Sequence, residues 1–273
     1  MAYECFELQR DAGVAHVVLN RPAAMNAMNL AFWRELPLIL RGLEAEGGTR
    51  VAVISSTGKH FTAGMDLGVF SGGEVAGTAS AISRERFRLK LIELQQSFNA
   101  IAEARFPVIA AVHGACIGGG VDMVSACCLR YATRDAYFSI QEINLAMMAD
   151  VGTLQRMPKA MPEAIVRELA YTGDRLPAER AERFGWVNGT FDTQAALLEG
   201  AMAVARRIAS KHPLSIAATK EMVSYARDHS VAESYAYLNA RQPGLFDIDA
   251  VRAAATARGG ESPKHEDLPP RAA

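Results

Sequence analysis

Three acids stand close together in a part of the sequence that is otherwise apolar or small. Asp122 follows three consecutive glycines in "CIGGGVDMVSAC", and Glu142 and Asp150 bracket seven residues, "INLAMMA", in the stretch "SIQEINLAMMADVGTLQRMP". No basic residue lies between Glu142 and Asp150. Carboxyls in such surroundings suit general acid–base work, because an apolar setting keeps a proton on them towards neutral pH. Each acid also has an ordinary role. Asp122 complements the dipole of the helix it opens, Asp150 caps the helix beginning at "VGTLQRM", and Glu142 leaves the strand "AYFSI" for water. Thr153, three residues after Asp150, supplies no capping-box acid. The glycines Gly118, Gly119 and Gly120 permit positive φ and close approach of a ligand to the backbone. Free amides at the helix start would then stabilise a developing negative charge. A tight strand-to-helix crossover would use the same glycines for packing.

Other chemistries find less support. There is no G-x-G-x-x-G fingerprint, "GKHFTAG" fails the spacing of a phosphate-binding loop, and "GVFSG" misplaces its serine for a nucleophile elbow. No histidine is followed by another at helical spacing, and Cys5, Cys116, Cys127 and Cys128 form no C-x-x-C pair. Neither a metal site nor a disulfide framework is expected. His16 reads as structural, and His113 as a core residue or loop donor. Arg84, Arg86, Arg88 and Lys90 interleave with Glu85 and Glu93, the pattern of a solvated helix face rather than a phosphate site. With 29 basic and 30 acidic residues the net charge is −1, which offers nucleic acid or an anionic membrane no electrostatic attraction. The N-terminal segment lacks the pattern of a secretory leader, no apolar run reaches membrane-spanning length, and the last residues lack a peroxisomal Ser-Lys-Leu. A cytoplasmic protein is the resulting expectation.

The elements that position the acids come next. Residues 14–20, 51–56, 107–114 and 136–140 are short β-branched or apolar runs that predict buried strands. Phe87, Leu91, Leu94, Phe98 and Ile101 recur at helical spacing and predict a helix over residues 83–104. Strands alternating with helices imply an α/β core. From about residue 160 the chain reads as helices, with an S-x-x-E capping box at Ser230 and Glu233. Residues 68–81, rich in Gly, Ser and Ala, predict a loop. The expected division is residues 1–200 as α/β core with the site, 201–258 as a helical region, and 259–273 as a loose polar tail. Tyr235, Tyr237 and Phe246 in the helical region could face sister subunits or the core.

In their order, "LNRPAAMNAMN", "HFTAGMDL", "AAVHGACIGGGVDMVSAC" and "YTGDRLPAERAERFGWVN" resemble the crotonase, or enoyl-CoA hydratase/isomerase, family from about Phe6 to Arg258. The resemblance implies a spiral of ββα units with a helical C-terminal trimerisation region, assembling as a homotrimer or hexamer. It implies an acyl-CoA thioester substrate, with coenzyme A part of the substrate and no separate cofactor. Its enolate would be stabilised by the backbone amides of Met65 and Gly119, and Ala63, Gly64, Met65, Asp66 and Leu67 would lie along the coenzyme A moiety. Hydratases of the family have glutamates at the positions of Asp122 and Glu142, and a small residue at Asp150. Aspartate at 122 and 150 resembles instead the branch of Δ3,5-Δ2,4-dienoyl-CoA isomerases. In that branch Glu142 and Asp150 would move protons at separate carbons while Asp122 assists by hydrogen bonding or by tuning its neighbours. The alternatives are hydration of a 2-trans-enoyl-CoA with Asp122 and Glu142 sharing one water, and a non-catalytic acyl-CoA-binding member. Two departures stand out: Cys128 replaces an aspartate common in the family, and Met147 and Met148 replace smaller residues.

Overall fold

The computed structural model describes residues 3–71, 80–256 and 264–271. The first half alternates strands and helices: β1 (Phe6–Asp11), β2 (Val14–Leu19), α1 (Leu30–Glu46), β3 (Val51–Ser56), α2 (Gly68–Ser71), α3 (Ala81–Glu103) and β4 (Val108–Val112). The glycine-rich part follows as β5 (Ala115–Ile117), α4 (Gly119–Ala126), β6 (Leu129–Thr133) and β7 (Tyr137–Ser139), then a 3-10 turn (Gln141–Leu145) and α5 (Thr153–Arg156). The remainder is α6 (Glu163–Thr172), β8 (Arg175–Pro177), α7 (Ala178–Arg183), β9 (Gly189–Phe191), α8 (Gln194–Ala209), α9 (Pro213–Asp228), α10 (Val231–Arg241) and α11 (Ile248–Thr256). All four expected strands and the helix at 83–104 are present. β1 is not expected from the sequence because its residues are mostly polar and exposed, and short β5, β6, β8 and β9 escape sequence reading because three to five residues carry too little periodicity to separate them from loops. Residues 68–71 form a helical turn instead of loop, and residues 72–79 of that stretch lie outside the described residues.

Six strands form one sheet in the order β1-β2-β3-β4-β6-β9, with β1 antiparallel to β2 and every other pairing parallel. Both faces are covered, so the strands read as continuous apolar runs rather than alternating ones. Ala52 and Ile54 of β3 join Val108, Ala110 and Val112 of β4 in the larger core beneath α1 and α3. Val51, Val53, Ile109 and Ala111 point the other way, to a second core roofed by α8. Leu197, Ala201, Ala205 and Ala209 recur every four residues on α8, so one small-residue stripe lies flat on the sheet. The division expected at residue 200 therefore falls inside a helix that packs on the α/β core.

A second sheet, β5-β7-β8, carries the chain past the acids. It is joined to the segment after β3 by the bridge Thr62↔Cys116. Residues 264–271 do not hang loose as expected. Arg50 binds the Asp267 carboxylate at 2.6 Å, and Arg105 donates to the Pro269 carbonyl at 2.9 Å. Guanidinium groups at the domain edge thus give this irregular segment the partners it lacks internally.

Lys220 of α9 fastens the C-terminal helices to the core. Its ammonium donates to the carbonyls of Ile101, Ala104 and Phe106 at 3.1, 2.7 and 3.0 Å, closing the C-terminal end of α3. Burial pulls its pKa below the ordinary lysine range, and nearby Cys128 partly opposes that. The three carbonyls satisfy the buried ammonium. Lys220→Met would strand three carbonyls, and a loss of roughly 2 kcal/mol is expected in urea unfolding.

Candidate active site

Two chain segments meet at the start of α4. Met28 and Met65 pair as a parallel bridge, in which Met28 N–H donates to the Gly64 carbonyl at 2.8 Å and Asp66 N–H donates to the Met28 carbonyl at 3.1 Å. Neighbouring residues of extended chain point their amides to opposite sides, so the Met65 N–H turns away from Met28. The Met65 nitrogen lies close to Gly119, 3.8 Å from where a Gly119 Cβ would stand. Gly64 makes this approach possible. Its φ is +85°, and a Cβ there would lie 2.6 Å from the Ile117 carbonyl oxygen. No residue among those described accepts a hydrogen bond from either the Met65 or the Gly119 N–H. Asp66 instead accepts from Gly68 N–H at 3.0 Å and lies 3.7 Å from Arg21. Ala63 is half-buried and Leu67 exposed on the rim.

The three acids arrive from three elements. Asp122, in the first turn of α4, is 0% exposed; its Oδ1 accepts from Thr153 N–H at 2.6 Å and its Oδ2 has no partner among the described residues. It therefore serves the next helix, α5, rather than its own. Glu142 sits in the 3-10 turn that begins two residues after Ser139, the last residue of β7, whose carbonyl accepts the Gly118 N–H at 2.9 Å. Its Oε1 lies 3.0 Å from where a Gly118 Cβ would stand, and its Oε2 is buried without a partner among the described residues. It has not left the strand for water. Asp150 is half-buried in the irregular segment before α5. Gly152, not Asp150, occupies the cap position of α5, so the capping role does not apply.

Electrostatics binds the acids into one unit. Burial lifts Asp122 to about 6, helped by the charge of Asp150 and opposed by the Thr153 hydrogen bonds and by Arg156. Burial lifts Glu142 to about 7, with the charges of Asp122 and Asp150 adding to the rise. Asp150 is also raised, again by burial. Each acid thus holds a proton more readily than in water, and each loss of a proton makes the next harder.

Some expected roles do not converge here. His113 is buried with its Nε2 3.0 Å from the Gly58 carbonyl oxygen, and His16 pairs with Ser55 on the opposite face of the sheet. Arg88 and Lys90 form ion pairs with Glu85 and Glu93, as a solvated face would. Among the described residues no group of three or more His, Cys, Asp or Glu is arranged to hold a metal ion. Sequence reasoning missed Thr153 and Gln95, which bond to Asp122 and to the Asp150 carbonyl, and Asn99 and Arg156, which bond to each other beside Val151. The one available signal was Arg156, a lone charge in "VGTLQRMP".

An apolar groove of about 440 Å³ is lined by Ile143, Met147, Met148, Leu154, Val166 and Tyr171 among others; Ile143 and Ala149 on its wall are chain neighbours of Glu142 and Asp150, while the three acids themselves do not line it. A family model described as enoyl-CoA hydratase/isomerase matches residues 9–247. The chain belongs to that family. Its members catalyse reactions, and this chain is an enzyme of the family. It is 42% identical, over 82% of its length and 70% of the other's, to the human protein named Delta(3,5)-Delta(2,4)-dienoyl-CoA isomerase, mitochondrial. It is 37% identical, over 94% and 95% of the two chains, to the Arabidopsis thaliana protein of that name described as peroxisomal. The crystal structure of an enoyl-CoA hydratase from Bacillus anthracis superposes with a TM-score of 0.86 at 26% identity, covering 96% of this chain and 99% of that one. The crotonase-like fold of the family member is thereby established. The expectation of a cytoplasmic protein is overturned, because the relatives are mitochondrial and peroxisomal.

Proposed function

We propose that this enzyme shifts a 3,5-dienoyl-CoA to the 2,4-dienoyl-CoA, and the observation that carries the reading is the grouping of the raised carboxyls of Asp122, Glu142 and Asp150 with two neighbouring amides, of Met65 and Gly119, that have no acceptor among the described residues. Isomerisation removes a proton from C2, delocalises the electron pair towards the thioester oxygen and adds a proton at C6. The developing oxyanion would sit on the N–H groups of Met65 and Gly119. Glu142, beside Gly118, is then nearest C2 and takes its proton. Asp150, on the other side of the seven-residue segment, supplies a proton at C6. Asp122 holds the α5 amide and by its charge helps raise Glu142. Ala63, Gly64, Asp66 and Leu67 would follow the coenzyme A moiety. Aspartate at 150, together with relatives named as isomerases of this kind, favours the reading.

A second reading is favoured by the two unpartnered oxygens, Asp122 Oδ2 and Glu142 Oε2. One water held between them would hydrate a 2-trans-enoyl-CoA. Ultraviolet absorbance separates the two readings. Isomerisation brings the diene into conjugation with the thioester carbonyl, whereas hydration destroys conjugation. Fast conversion of the 3,5-diene with weak hydration is expected; an inert diene would overturn the proposal.

Gly64→Ala probes the oxyanion site. The new methyl would meet the Ile117 carbonyl at 2.6 Å and displace the Met65 amide. A fall in kcat of about 10²-fold is expected, the effect of losing one such donor. Val223, Val231, Tyr235 and Phe246 leave an apolar surface exposed on and around α9 and α10. That surface supports self-association into a trimer or hexamer, which sedimentation would measure.

A further inference from the structure

We infer that Gln95, Asn99 and Arg156 form a brace that places the Asp150 carboxyl, making them positioning residues for the proton transfer proposed above, on which the inference rests. Asp150 lies in a segment without regular secondary structure, entered through left-handed Ala146 and left through Gly152 at φ 138°. Such a segment has no ladder or helix of its own to fix a side chain, yet proton transfer needs placement to a fraction of an ångström.

The missing constraint comes from α3. Gln95 and Asn99 are four residues apart and share one helix face. Gln95 Nε2 donates to the Asp150 carbonyl at 2.8 Å. Asn99 Oδ1 accepts from Arg156 Nη2 at 2.6 Å. That bond holds the guanidinium under the segment, with Nη1 3.5 Å from the Val151 carbonyl and 1.8 Å from where a Gly152 Cβ would stand. Any other residue at 152 would expel the arginine. Thr153 N–H then binds Asp122 at 2.6 Å. Residues 150 and 151 are therefore tied to α3 through this brace and residue 153 to Asp122, with Gly152 held between them. The bonds to Asp150 and Val151 use backbone carbonyls, so the Asp150 carboxyl stays free to react.

The experiment compares Gln95→Leu, Asn99→Leu and Asn99→Asp in the full-length enzyme, with a 3,5-dienoyl-CoA as substrate. Gln95→Leu and Asn99→Leu are expected to lower kcat roughly 10- to 100-fold with KM within about twofold, since binding of the thioester is made elsewhere. Asn99→Asp keeps an acceptor for Arg156 and is expected to retain kcat within about threefold. Hydrogen–deuterium exchange should quicken at the amides of residues 151–153 in the two leucine variants and not across the sheet. Unchanged kcat in both leucine variants would overturn the brace. So would a loss in Asn99→Asp as deep as in Asn99→Leu, or a loss explained by global unfolding. Should the unmodified enzyme leave the diene untouched, the isomerase reading fails instead. The exchange data then decide the brace alone, which stands if exchange at 151–153 quickens and falls if it does not.

Discussion

Asp150→Asn is expected to lower kcat for a 3,5-dienoyl-CoA by about 10²- to 10⁴-fold, the range for loss of a general acid or base, with the fold intact. The substitution is close to isosteric, and the bond the carboxylate accepts from its own backbone N–H can pass to the amide oxygen; among the described residues no other residue bonds to that carboxylate. Gln95 holds residue 150 through its backbone carbonyl, and Gly152 rather than Asp150 caps α5. Unfolding stability should therefore change by no more than about 0.5 kcal/mol. The substituted amide has no proton of suitable acidity to give C6, so the delocalised carbanion would return to the 3,5-diene. A hydratase would behave differently, because Asp122 and Glu142 remain to hold a water and residue 150 is idle. Full activity in the Asn variant would sink the role of Asp150, and hydration by that variant would move the assignment to the second reading.

The acids were legible in the sequence because burial of a charge is costly, so a carboxylate in an apolar stretch needs a reason. The glycine turn was legible for a related cause: positive φ and close backbone contact leave few residue types free, as Gly64 and Gly118 illustrate. β2, β3, β4 and α3 announced themselves through apolar runs or helical periodicity, whereas β1, with its polar and mostly exposed FELQRD, did not. Contacts between distant positions left no such trace. Nothing in "LQQSFNA" tells that Gln95 and Asn99 face residues 150 and 156, because a polar residue on a helix reads equally well as solvated surface. The same holds for Lys220, whose role as the cap of α3 depends on how α9 folds back over the core. Asp122 was read as an aid to its own helix, yet it serves α5, and only the packing of α4 against α5 settles the direction of its bond.

Glu142→Gln is expected to be as damaging as the change at 150, and the pH dependence of the unmodified enzyme should identify the role it removes. Glu142 stands next to the glycine turn, on the side where the thioester carbon and C2 would lie. As the base it must be ionised before it can accept the C2 proton. With its pKa lifted to about 7, it is largely ionised above that value and largely protonated below it. Between pH 8 and pH 6 kcat/KM should accordingly fall about tenfold, following the ionised fraction of the free enzyme. A rate that rises on acidification through this range would make Glu142 the acid and exchange its role with Asp150. Asp150 needs the reverse state, protonated when C6 is reached. It is only half-buried in the free protein, and an acyl chain laid over it would remove more water and strengthen its hold on the proton. The three charges also act on one another, which Asp122→Asn can expose. The amide oxygen still accepts from Thr153, but the charge that helps lift Glu142 is gone. The acid limb of the profile should then move to lower pH; an unmoved limb would show that burial alone sets the proton affinity of Glu142.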